Sequence, residues 1–196
     1  MKTAIITLEA FNELDSFIAS AILNRVEHPD WEVQICCPTE HVTSMNGVKI
    51  EAQQLLEYAN QADIVLFGSG MRTAEFANDP EITNRLKLDP SRQLIGSQCS
   101  GALFLKQLGL LKNKVATDTI TAPKLLEAGM EISERPLQSE GNVASAGGCL
   151  SSYYLAAWAI TKTAGWGAAS DIIHYVAPVG EKDRYVKMTK AALFQA

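Results

Sequence analysis

The sequence predicts an α/β protein with a mostly parallel central sheet covered by helices on both faces. Three observations carry this. Apolar runs alternate with helical patterns from end to end, and several of those runs are apolar at nearly every position, as strands buried on both sides are. No repeat, low-complexity tract or linker interrupts the alternation. The 196 residues therefore read as a single domain, 1–196, long enough for a sizeable core.

Residues 3–8, TAIITL, read as the first buried strand, and 13–26 as a helix with Leu14, Phe17, Ile18, Ala21 and Ile22 at helical spacing. A second strand, 32–37, stops at Pro38, and Asn46-Gly47 within 45–50 signals a small hairpin. A short helix at 53–59 leads to the apolar strand 64–67. Asp79 and Pro80 supply a cap and a first-turn proline for another helix. The strand 93–96 runs into a helix over 100–110, which Gly109 or Asn113 helps to end. A short strand at 114–117, a helix at 122–128 and a strand at 142–145 follow. Gly147-Gly148 precedes a long helix from 150 to about 164, then come 170–176 and a terminal helix after Lys182. In such sheets, ligands bind beyond the carboxyl ends of the strands.

Composition narrows the chemistry. A net charge of −5 without a basic stripe argues against nucleic acid as a partner. No apolar run approaches the about 18 residues of a membrane helix, so no membrane partner is expected. Glu9 and Glu13 break the apolar start too early for a leader, which points to the cytoplasm. Cys36, Cys37, Cys99 and Cys149 form neither a CxxC motif nor a Cys/His cluster, so they read as free thiols, with no metal expected. Gly68-Ser69-Gly70 is too short for a phosphate or dinucleotide loop, and no cofactor is expected.

The segment 96–102, GSQCSGA, is the most informative. An apolar strand runs straight into a helix with Cys99 at the junction, and small residues sit two before (Ser97) and two after (Gly101). A nucleophile elbow needs this pattern, because the turn is too tight for bulky neighbours. The unpaired N–H groups and positive end of the helix would favour thiolate, so a depressed Cys99 pKa is expected. The Ser100 N–H would lie where an oxyanion develops.

These residues resemble the ThiJ/PfpI superfamily, whose fold is related to class I glutamine amidotransferases. The run QCSGALFL at 98–105, then GLL at 109–111 and KVAT at 114–117, matches the family's cysteine elbow, helix and following strand, and looks most like the isonitrile hydratase branch. Leu14-Asp15 matches the family's acidic residue beside the cysteine. Gly68-Ser69-Gly70 matches the loop usually written Pro-Gly-Gly, and the 145–148 run SAGG matches a glycine-rich turn. The resemblance implies a three-layer, flavodoxin-like sandwich and a homodimer. It also departs from the pattern: Asp118 stands where many members place a histidine, so the Cys–His pair of protease-like members is missing.

The resemblance makes Cys99 a nucleophile and Asp15 its acid partner, with the backbone N–H groups of Gly70 and Ser100 fixing reacting atoms. A carboxyl beside a thiolate should have a raised pKa, and the two would titrate as a pair. Ser69, Asp118, Arg72 and Cys149 are candidate rim residues. Cys149 reads as a resolving thiol or as a packed helix-start cysteine. His28, His41 and His174 occupy no position the family uses for catalysis.

The leading expectation is a cofactor-free lyase- or hydrolase-type enzyme acting on a small electrophile, converting an isonitrile to an N-substituted formamide. The alternatives are glyoxalase- or deglycase-like action on reactive carbonyls, and a non-enzymatic redox sensor or stress protein. The chain shows no helix-turn-helix pattern of the kind that regulators of this family carry.

Overall fold

The computed structural model describes residues 1–194. In chain order the strands are β1 (Lys2–Ile6), β2 (Glu32–Cys37), β3 (His41–Thr43), β4 (Lys49–Glu51), β5 (Gln54–Leu55), β6 (Ile64–Phe67), β7 (Leu94–Gln98), β8 (Lys114–Val115), β9 (Glu131–Ile132), β10 (Leu137–Glu140) and β11 (Val143–Ala146). The helices are α1 (Glu13–Leu23), α2 (Thr73–Ala77), α3 (Pro80–Thr83), α4 (Ala102–Gln107), α5 (Ala122–Glu127), α6 (Ser152–Val176) and α7 (Lys182–Phe194). The main sheet has seven strands in the order β10-β11-β7-β6-β1-β2-β5. All its neighbours are parallel except β10 and β11. The architecture is the α/β sandwich that the sequence predicts.

The strands are apolar throughout because both faces are covered. Ile5, Ile64 and Leu66 point into a core shared with α1 and α6, with Ile22, Leu155 and Ile173. Their sequence neighbours Ile6, Val65 and Phe67 point to the other face, against Leu56, Ile82, Phe104 and Leu105. There the Phe67 and Phe104 rings stack at 5.0 Å between centroids, 18° from parallel, and seat α4 on the sheet.

Several elements differ from expectation. On α1 the buried residues are Asp15, Ser16, Ala19, Ile22 and Leu23; of the expected apolar set Ile22 is buried, Phe17 and Ile18 are partly buried, and Leu14, 47% exposed, and Ala21 face outward. The helix is turned by polar contacts at its start, where the Thr7 hydroxyl donates to Ser16 Oγ at 3.0 Å. The 114–117 strand is only β8, which leaves the main sheet to pair with β9. Residues 53–59 divide between β5, on the edge of β2, and a 3₁₀ helix over Leu56–Gln61. The expected 150–164 and 170–176 segments lie on the two helical stretches of α6, which are separated at Gly165, whose φ of 87° and ψ of 162° are not helical and which only glycine tolerates well. The antiparallel edge strand β10 escaped the sequence reading because LQSE carries no apolar run.

The hairpin around Asn46-Gly47 is present, with Gly47 at φ 88°, and Asp79 caps α3 through the Glu81 N–H at 2.8 Å. Phe104 is fully buried beneath the turn that follows Cys99. Phe104→Ala should cost about 3–5 kcal/mol in urea unfolding through the cavity it leaves.

Candidate active site

Four neighbouring parallel strands deliver the site from their carboxyl ends. β1 leads through the loop 7–12 to Asp15, β6 to Gly68-Ser69-Gly70, β7 to Cys99, and β11 to Gly147-Gly148-Cys149. The chain reverses direction across the sheet at β1, the topological switch point where α/β sheets open a crevice.

Cys99 has φ +48°, a left-handed backbone that non-glycine residues seldom adopt. Two contacts hold it. The Thr117 hydroxyl donates to the Cys99 carbonyl at 2.9 Å. Gly101 lies against the end of β6, where a Cβ would sit 2.6 Å from the Gly68 carbonyl oxygen and 2.8 Å from that of Phe67. The small residue after the cysteine is thus demanded by the backbone of the next strand.

A second strained residue, Ala10 at φ 60°, lies in the loop after β1. The Asn12 N–H donates to Ser69 O at 2.8 Å and the Met71 N–H to Ala10 O at 3.0 Å, clamping this loop onto 69–71. The clamp turns the Gly70 N–H the other way, toward Ser100 Oγ at a long 3.4 Å. A Cβ on Gly70 would lie 2.4 Å from the Ala10 carbonyl oxygen, so this approach requires glycine.

An Asp15 carboxylate oxygen and the sulfurs of Cys99 and Cys149 lie within 4.8 Å of one another. Asp15 is 2% exposed. The Ser69 hydroxyl donates to its Oδ2, while its Oδ1 is buried with no hydrogen-bond partner. Burial raises the Asp15 pKa, outweighing the opposing contacts with Ser69, Cys99 and Cys149.

Cys99, 4% exposed, also goes up: burial raises its thiol, and the neighbouring Asp15 and Cys149 add to the effect. This corrects the expected depressed pKa. The turn after Cys99 is a 3₁₀ segment leading into a helix of only six residues, so little dipole acts against desolvation. Both members of the pair are thus pushed toward their protonated forms, chiefly by burial.

Cys99 opens into a cavity of about 410 Å³ whose apolar lining includes Met45, Met71, Leu103 and Ile120. Ser69, Gly70, Ser100, Asp118 and Cys149 also line it. Asp118 Oδ1 accepts the N–H groups of Ile120 and Thr121, both at 2.9 Å, and so shapes the turn into α5. Arg72 does not line this cavity; its guanidinium is held by Glu75 and lies over the Phe76 ring. All three histidines are exposed and outside the cavity. A larger cavity of about 730 Å³, near Arg25 and Tyr175, has no thiol and no buried carboxyl.

Two residues at the site had been given no role. Asn12 caps α1 by accepting the Leu14 N–H at 3.1 Å, and its amide donates to Cys149 Sγ at 3.1 Å. Gln98 donates to the Gly148 carbonyl at 2.7 Å and to Cys99 Sγ at 3.6 Å, joining the two cysteine loops. Asn12 was visible as a helix cap, but its reach to Cys149 was not. The spacing of the acid and two sulfurs is within reach of one soft cation. Ser69 donates to carboxylate oxygen Oδ2 and Asn12 to the Cys149 sulfur.

A parallel α/β sandwich with a strained cysteine at a strand-to-helix elbow and a buried acid against it defines a class of proteins built around one thiol. The profile of the DJ-1/PfpI family matches residues 1–162, and the chain belongs to that family. Among solved structures, the VC2308 protein matches with TM-score 0.79 at 15% identity, covering 94% of this chain and 97% of that one. Drosophila melanogaster DJ-1beta matches with TM-score 0.77 at 18% identity, covering 89% and 96%. Toxoplasma gondii DJ-1 in an oxidized form matches with TM-score 0.76 at 20% identity, covering 89% and 97%. These likenesses are of fold. No curated protein sequence is similar enough to count as a match.

Folded Asp15 holds its proton more tightly than the unfolded chain does, so its contribution to stability is full below the ordinary carboxylate range and is lost as pH rises through the raised value. Asp15→Asn removes that loss. Urea midpoints should be higher for Asp15→Asn than for wild type at pH 7, with the gain vanishing below about pH 4. Ser69→Ala should move the Asp15 titration further up, measured by the carbon chemical shift of its carboxyl against pH.

Proposed function

We propose that this chain is a cysteine-dependent catalyst that adds Cys99 to a small uncharged electrophile, with Asp15 moving the proton. The observation that carries this is the unpartnered Asp15 Oδ1 buried in the cluster with the Cys99 and Cys149 sulfurs. One carboxylate oxygen is anchored by Ser69, which leaves the other to take the Cys99 proton as the sulfur attacks.

An isonitrile is the substrate class we favour. Sulfur bonds to the isonitrile carbon, and Asp15 passes the thiol proton to that same carbon, giving a thioimidate. Water then adds, the C–S bond breaks, the thiol regains a proton, and an N-substituted formamide leaves. The apolar cavity wall suits an alkyl substituent on nitrogen. A second reading, action on reactive carbonyls, is supported by the Gly70 N–H. Its long contact to Ser100 Oγ is readily exchanged for an alkoxide formed by attack on an aldehyde.

Purified protein with an alkyl isonitrile should release the formamide, and Cys99→Ala should abolish it. Asp15→Asn should lower kcat by about 10²–10⁴-fold, the range for a lost acid–base group. Since the ionised carboxyl is the base, kcat/KM should rise with pH through the raised Asp15 pKa. No formamide, with lactate appearing from methylglyoxal instead, would replace the isonitrile by the carbonyl reading. Turnover retained in Asp15→Asn would remove the acid–base role. The homodimer implied by the family is checked by light scattering, which should give twice the chain mass.

A further inference from the structure

Cys149 is unused by that chemistry, yet it shares the cavity with Cys99. We propose that Cys99 and Cys149 are a redox pair that closes as a disulfide across the site when a hydroperoxide enters the cavity. The inference uses the same cysteine as the proposed catalysis but does not depend on the substrate.

The fold brings the two thiols together from adjacent strands. Ala146 on β11 is the register partner of Gln98 on β7, so Cys99 and Cys149 leave the sheet side by side. Adjacent strands lie about 4.8 Å apart, inside the Cα separation of about 4.4–6.8 Å that a disulfide spans. The sulfurs are already within 4.8 Å of each other. The Gln98 amide, bonded to the Gly148 carbonyl at 2.7 Å, holds the second loop against the first. Gly148, at φ 83°, is the pivot just before Cys149.

The local chemistry divides the roles. Cys99 is buried beside a proton acceptor, as the attacking thiol requires. Cys149 is half-buried, with the Asn12 amide donating to its sulfur at 3.1 Å. Burial raises the Cys149 thiol too, but the Asn12 and Cys99 contacts oppose the shift. Cys36 and Cys37 have no such setting: they are fully buried, and burial pushes each thiol up to about 12.

The steps balance. Asp15 takes the Cys99 proton, and the sulfur attacks one peroxide oxygen. The S–O bond forms, the O–O bond breaks, and the departing hydroxide leaves as water with the proton from Asp15. Cys149 sulfur then attacks the Cys99 sulfenic sulfur. The S–S bond forms, the S–O bond breaks, and hydroxide leaves as a second water with the Cys149 proton. Two thiols lose two electrons and two protons in all, and a dithiol reductant reverses the change. Closure would block nucleophilic attack and intercept Cys99 before irreversible oxidation to sulfinate or sulfonate.

Two or more equivalents of hydrogen peroxide per chain added to the full chain, followed by intact mass and peptide mapping, test this. Wild type should lose two hydrogens, yield a Cys99–Cys149 linked peptide, and recover both thiols with dithiothreitol. Cys149→Ser, near-isosteric and checked for folding by circular dichroism, should instead gain two oxygens at Cys99 several-fold faster than wild type. Absence of the linked peptide, or Cys99 sulfinate forming equally fast in wild type and Cys149→Ser, overturns the inference. Because the readout is mass, a chain inert toward isonitriles and aldehydes that still forms the link would sink the catalytic reading and leave this one standing.

Discussion

Cys99 keeps a left-handed backbone that costs a non-glycine residue about 1–3 kcal/mol, and the neighbours that hold it there also build the site. Gly101 can follow it only because it has no Cβ to strike the carbonyls at the end of β6. Thr117 reaches in from the segment after β8 to take the Cys99 carbonyl, and Gln98 ties the same turn to the loop after β11. Loosening the elbow would therefore also release the strand ends that carry Ser69, Gly70 and Cys149.

Electrostatics at the elbow follow from burial more than from helix position. Asp15, Cys99 and Cys149 crowd one corner: Asp15 makes a thiolate more costly at both cysteines, while the two thiols oppose the upward push that burial gives the carboxyl. Burial disfavours charge on both the carboxyl and the Cys99 thiol, and the Ser69 hydroxyl fixes one Asp15 oxygen while the other is left without a hydrogen-bond partner.

Much of this was legible in the chain. The apolar strands around Ile5, Val65 and Ile95 were evident because strands buried on both faces carry no polar alternation. The elbow was evident because its steric demand falls on residues next to Cys99 in sequence. The polar edge strand β10 and the buried face of α1 were not. An edge strand needs no apolar run, and α1 is turned by the polar contact between Thr7 and Ser16 at its start, not by its own periodicity. Asp15 and Ser16, on consecutive positions of α1, were a local hint that a polar face turned inward.

The sequence by itself determined the layered α/β fold and the strand-to-helix elbow at Cys99, and family resemblance pointed to Asp15 as the acid beside it. These depend on local sterics and patterning, which neighbouring residues encode. Only the tertiary structure decided that burial raises both Asp15 and Cys99, that Ser69 anchors the acid, that Arg72 turns away to Glu75, and that Cys149 stands beside Cys99. Each of those depends on distances between strand ends far apart in the chain. Charge and reactivity there are set by burial and by what faces what across the gap.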